Sequence, residues 1–245
     1  MPQPSIPLRS RIPAPLAKLL GLALLCFLII SLVGYLWPAV LPFGVLELWQ
    51  PKGTPLDWLA VGWPALAWIV ALTTFENLRR RHSWQELADA EKILVGGLML
   101  STLAGFFEEL LCRWLVFMAA IPLLVLANYG CSSFGLPLFE MLQIYVLGPV
   151  ANALTLGLLS SWLTEPLTWP VGLAMLAANW MFMLEHTDRG RFYAANSWLV
   201  GMFMFFVMSR FGLPAAMFLH FLYDALFYTT VFLVRVLQRQ RAMVR

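Results

Sequence analysis

Seven ionisable side chains stand in three short stretches of otherwise apolar sequence: Glu108, Glu109 and Arg113 in GFFEELLCRWLVF, Glu185 and His186 in NWMFMLEH, and His220 and Asp224 in AMFLHFLYDALF. A carboxylate beside an imidazole can take a proton from water, and donors aimed at a developing oxyanion supply about 3–4 kcal/mol of transition-state stabilisation. Those residue types therefore fit hydrolysis by an activated water. No Ser or Cys stands beside a base at the spacing of a covalent mechanism; Cys112 is the only thiol in a motif stretch.

Spacing divides the labour. Adjacent helical positions are about 100° apart, so Glu108 and Glu109 cannot address one target equally. Glu109 and Arg113 are spaced i, i+4 with the acid first, the favourable order for a helical ion pair. Glu108 is then left without a partner in its own helix and is the carboxylate open to general-base work. The bland alternative makes the whole cluster an ion-pair knot that supports helix packing. His220 and Asp224, also four apart, share a helix face, so one orients the other or both address one substrate atom. His186 follows Phe182 by four residues. Glu185 points elsewhere around that helix, and Asp188, Arg189 and Arg191 beyond it read as a solvated turn. His82, in RRRHSW, reads as an ordinary loop residue.

The elements that carry these groups are set by composition. Hydrophobic residues make up 61% of the 245 residues and charged ones 12%, with mean hydropathy +0.78. That excludes an ordinary soluble domain and predicts an all-α, polytopic transmembrane bundle. At the bilayer centre a charge costs on the order of 2.5–3.5 kcal/mol, so ionisable groups placed there mark a functional site by default. Apolar segments fall at 15–37, 57–76, 93–127, 138–163, 167–187, 194–209 and 212–235. Pro51, Gly53, Gly135, Pro137, Pro166, Gly212 and Pro214 mark boundaries, and Trp37, Trp58 and Trp198 suit an interfacial belt. The first apolar run is too long for a signal h-region and lacks a small-x-small cleavage site, so it reads as an uncleaved span. Cys26, Cys112 and Cys131 form neither a disulfide framework nor a metal spacing and read as unpaired thiols. Three parts follow: a helical hairpin with a basic loop over 1–92, a core over 93–235 and a basic tail over 236–245.

Basic flanks set the orientation. Arg9, Arg11 and Lys18 place the N terminus in the cytoplasm, and Arg79, Arg80 and Arg81 place the second polar loop there. Arg235, Arg239, Arg241 and Arg245 ask the same of the tail, yet five apolar segments intervene. One segment must therefore depart from a simple crossing. Segment 93–127 would be about 50 Å long as one helix, against a core of about 30 Å, so a tilt or a break near Gly96, Gly97 or Gly105 is expected. Segment 194–209 is short enough to be re-entrant. Six to eight membrane-embedded helices result.

Taken in order on separate apolar segments, Glu108-Glu109-x-x-x-Arg113, Phe182-x-x-x-His186 and His220-x-x-x-Asp224 resemble the three signature motifs of the CAAX-protease and bacteriocin-processing family, intramembrane glutamic peptidases that include the type II CAAX prenyl endopeptidase. The lead-in GLPAAMFLH is similar too, and the resemblance covers roughly residues 93–235. It implies a water held by Glu108 and His186, attack on a peptide carbonyl, and an oxyanion site at His220 and the residue four later. Glu109, Arg113 and Phe182 would be supporting residues. Many members have Asn where this chain has Asp224; an ionised carboxylate repels an oxyanion, so Asp224 either carries a proton or orients His220 instead.

Two other classes fit the same residues. Glu108, His186 and His220 could hold a catalytic zinc, although the chain lacks His-Glu-x-x-His. A proton-coupled transporter, or a membrane immunity or scaffold protein, would also use intramembrane Glu and His; the lack of inverted repeats argues against transport. The peptidase reading needs no cofactor. Its substrate would reach a membrane-level cavity, which points to a lipidated, membrane-spanning or amphipathic peptide. The net charge of +3 with basic flanks says only that the protein sits on anionic lipid, and no nucleic-acid partner is expected.

Overall fold

A computed structural model describes residues 14–44, 46–79 and 84–244. Arg9, Arg11, Arg80, Arg81, His82 and Arg245, which entered the orientation argument or were set aside as loop, lie outside the described residues. The described residues are helical throughout, with turns and short 3-10 segments between helices and no strand among them. We number the principal helices α1 (Ala14–Leu36), α2 (Pro55–Arg79), α3 (Ala90–Ser132), α4 (Leu138–Leu154), α5 (Trp169–Leu184), α6 (Arg191–Phe211) and α7 (Leu213–Val244).

Among the described residues, five stretches are long and apolar enough to cross a membrane: α2, α3, α5 with its leading turn from Pro166, α6 and α7. The apolar parts of α1 and α4 are shorter, at Leu20–Leu36 and Leu138–Leu154. Exposed apolar side chains such as Leu24, Leu32, Phe75, Met99 and Leu126 cover the outside. In a bilayer such side chains are solvated by lipid tails and need no protein partner.

Three expectations from the sequence change. α3 is helical through all its 43 residues and is not broken at Gly96, Gly97 or Gly105. It would be about 65 Å long at 1.5 Å per residue, and its irregularity is a π-helical stretch at Glu109–Val116. Gly105 serves close packing instead: a Cβ there would lie 2.9 Å from the backbone nitrogen of Phe221 and 3.1 Å from the carbonyl oxygen of Met217 on α7. The segment expected to be re-entrant is a full 21-residue helix, α6, because the helix extends beyond its apolar run to Arg191 and Phe211. It stops at Gly212, whose φ of 91° only glycine adopts freely. Finally, Trp58 does not face the surroundings as a belt residue would: it is buried, donates its indole N–H to the Lys52 carbonyl at 2.8 Å and packs against Phe218.

α7 is the central packing element. It lies against α2, the first half of α3, and α6, while the second half of α3 packs on α5 and α1. It also runs through the basic residues Arg235, Arg239 and Arg241 to Val244, so the tail is a continuation of the helix. Phe117, Met118, Ala174, Met175, Phe205, Ala215 and Ala216 are essentially inaccessible and fill the centre. Ala174 and Ala178 of α5 and Ala215 and Ala216 of α7 are small and fully buried, the kind of residue that lets helices associate closely in lipid.

Candidate functional site

Three helices bring the three motif stretches to one place. A cavity of about 590 Å³ is lined by Glu108 from α3, Phe182 from α5, His186 just after α5, and His220 and Asp224 from α7. Its wall also takes Leu20 and Ala23 of α1, Ile69, Thr73 and Glu76 of α2, and Asn196 of α6. The first two helices thus contribute to the cavity as well as the predicted core does.

His220 is held at one nitrogen and presents the other. Its Nδ1 lies 2.7 Å from Glu109 Oε1, and both side chains are buried. A carboxylate only accepts, so Nδ1 carries the hydrogen and donates it. Nε2 then faces the cavity, 3.7 Å from Glu108 Oε2 and 3.8 Å from Asp224 Oδ2. Glu109 therefore occupies the orienting position that spacing alone had offered to Asp224. Asp224 lies instead on the cavity side of the ring.

Glu109 has a second partner. Arg113 Nη1 lies 3.3 Å from the same Oε1, with both side chains fully inaccessible. The guanidinium nitrogens have no well-aligned hydrogen-bond acceptor among the described residues. Their charge is met by the carboxylate and by the face of Phe182, whose ring centroid is 3.8 Å from Arg113 Cζ. The π-helical winding begins at Glu109 itself, so the registers of Glu108 and Glu109 part at this residue. Glu108 stays about one-third exposed and Glu109 is sealed.

His186 does not sit within α5. The helix ends at Leu184, and His186 opens a short 3-10 turn at Thr187–Arg189. Its Nδ1–H donates to the Phe182 carbonyl at 2.8 Å, satisfying one of the carbonyls left open at a helix end. The four-residue spacing from Phe182 is thus a helix-end bond, and it leaves Nε2 as the ring's remaining polar atom. The Phe182 ring packs on His186 at 4.7 Å and on His220 edge-on at 6.1 Å, so it separates and aligns both imidazoles. Glu185 is exposed and outside the cavity wall, and Cys112 is a buried free thiol outside it.

The wall includes residues that the three motifs did not reveal. Tyr193 donates its hydroxyl to Glu76, joining α6 to α2. Asn196 accepts from the indole of Trp68 at 2.8 Å and bonds the hydroxyl of Tyr223 at 3.1 Å. One signal was available: Asn196 is a polar residue inside an apolar segment, and Tyr223 directly precedes Asp224. No group of three or more His, Cys, Asp or Glu residues that could hold a metal ion occurs among the described residues. No protein-family model, curated protein or solved structure matches the chain.

Proposed function

We propose that the protein is an intramembrane endopeptidase of the glutamic type, a bundle with six to eight membrane-embedded helices whose N terminus is cytoplasmic. It hydrolyses a peptide bond of a membrane-associated or lipidated substrate. The observation that carries this reading is the 3.7 Å approach of the Glu108 carboxylate to His220 Nε2 on the wall of a cavity that also takes His186 and Asp224.

Glu108 and His186 hold a water, and Glu108 takes its proton as the oxygen attacks the carbonyl carbon. The carbonyl oxygen gains charge as the tetrahedral intermediate forms. His220, in its imidazolium form, donates to that oxygen from Nε2 while Glu109 holds Nδ1. Glu108 then returns the proton to the leaving nitrogen, the C–N bond breaks, and a carboxylic acid and an amine leave. Arg113 holds Glu109 in place, and Phe182 aligns both imidazoles. The apolar walls from α1 and α2 fit a substrate that arrives along the membrane. Replacing Glu108 with Ala in the native membrane tests this reading, because the uncut substrate then accumulates.

A further inference from the structure

The oxyanion site described above has one donor in place, His220, and beside it Asp224, which cannot donate while ionised. The hydrogen bonds around Tyr223 supply a neutral second donor. Trp68 Nε1 can only donate, so the atom of Asn196 that meets it at 2.8 Å is the amide oxygen. That fixes the orientation of the amide, and the atom 3.1 Å from the Tyr223 hydroxyl is then its nitrogen, another obligate donor. The Tyr223 oxygen must accept. Its own proton is left over, and among the described residues no acceptor is bonded to it.

Tyr223 is buried, with 7% of its surface exposed, yet it lines the catalytic cavity together with Asn196, His220 and Asp224. It lies three residues after His220 on α7, so both side chains issue from one face of the helix. We infer that Tyr223 is a catalytic residue that donates its hydroxyl hydrogen to the substrate carbonyl oxygen, and that Asn196, held by Trp68, is a positioning residue that turns this hydrogen into the cavity. The inference rests on the endopeptidase reading and extends it. The hydroxyl is neutral, so it stabilises the oxyanion beside Asp224 without a change of protonation at either group. The relay also joins α2, α6 and α7, tying the donor's direction to the packing of three helices.

The test uses full-length protein in liposomes of phosphatidylcholine and phosphatidylglycerol, with an N-acylated, internally quenched apolar peptide as the probe. Tyr223→Phe keeps the ring and should lower kcat about 100-fold, the usual loss for one oxyanion donor, with KM little changed. Asn196→Asp puts a carboxylate where the amide was, so it accepts from both Trp68 and Tyr223 and draws the hydroxyl hydrogen out of the cavity. It should lose about as much as Tyr223→Phe, and the double variant should lose no more than either alone. Glu108→Gln separates the two claims. If Glu108→Gln is inactive while Tyr223→Phe keeps kcat within about twofold of wild type, the Tyr223 assignment fails and the endopeptidase reading stands. If Glu108→Gln hydrolyses the peptide as wild type does, both fall. A readout independent of any substrate is the ratio of the tyrosine ring doublet in the Raman spectrum, isolated by subtracting the Tyr223→Phe spectrum. It should move toward the strong-donor value in Asn196→Asp, and an unchanged ratio overturns the assigned direction of the hydroxyl.

Discussion

Glu109 Oε1 meets two cationic or proton-bearing partners at once, His220 Nδ1 at 2.7 Å and Arg113 Nη1 at 3.3 Å, with no access to solvent. Arg113→Ala removes the full charge and leaves the carboxylate with the imidazole alone. Breaking a buried pair in this way costs roughly 3–5 kcal/mol. Thermal unfolding in detergent should show that loss together with reduced turnover; wild-type stability with turnover selectively lost would instead place Arg113 in the chemistry. Asp224, on the cavity side of His220, gives the second prediction at this scale. Since Glu109 already orients the ring, Asp224→Asn should retain most hydrolysis of a quenched peptide, whereas Asp224→Ala, which opens space beside His220 and frees the ring to shift, should lose on the order of 100-fold. Equal damage from Asn and Ala would mean that the carboxylate's charge is required. The pairing of Glu109 with Arg113 was legible from i, i+4 spacing. The bond from Glu109 to His220 was not, because it joins residues 111 apart in sequence and depends on how α3 meets α7. Asn196 was hidden for the same reason: Trp68 lies 128 residues away and Tyr223 27.

At the scale of elements, the apolar segments located the helices well, since a helix in lipid must satisfy its own backbone wherever the run is long enough. Ends and irregularities were less legible. The length of α3 correctly signalled something other than a simple span, but glycine was a poor guide to where the winding changes. Glycine's entropic cost in a helix is offset where a neighbour packs closely on it, and at Gly105 the backbone of α7 occupies the space a side chain would need. Nothing lies within 4 Å of a Cβ placed at Gly96. Gly96→Ala should therefore be neutral or stabilise by up to about 1 kcal/mol through helix propensity. Gly105→Ala should force α3 and α7 apart and cost about 1–3 kcal/mol, with loss of activity because the two helices carry Glu108, Glu109 and His220. Unfolding curves of the two variants decide it; equal stabilities would contradict the close approach. His186 shows the same limit from the other side. Its spacing from Phe182 was readable, but that the helix ends between them follows from the bond to the Phe182 carbonyl.

For the whole molecule, a cavity of about 590 Å³ opens among helices that are long and apolar enough to cross a membrane, and its polar residues come from α2, the middle of α3, the end of α5, α6 and α7. Composition alone announced the membrane, and the order of the three charged stretches announced a shared site. That α1 and α2 would help to wall it could not be read from hydropathy, which says how deep a helix lies and not which neighbour it meets. Under the proposed function, the same walls fit a membrane-level substrate. The most direct measurement is a quantitative comparison of membrane proteins and peptides from cells carrying wild-type protein or Glu108→Ala, at matched expression. The account predicts that at least one membrane-associated protein accumulates uncut in the variant and that its shorter products disappear. Membranes with the same precursors and products in both would contradict it.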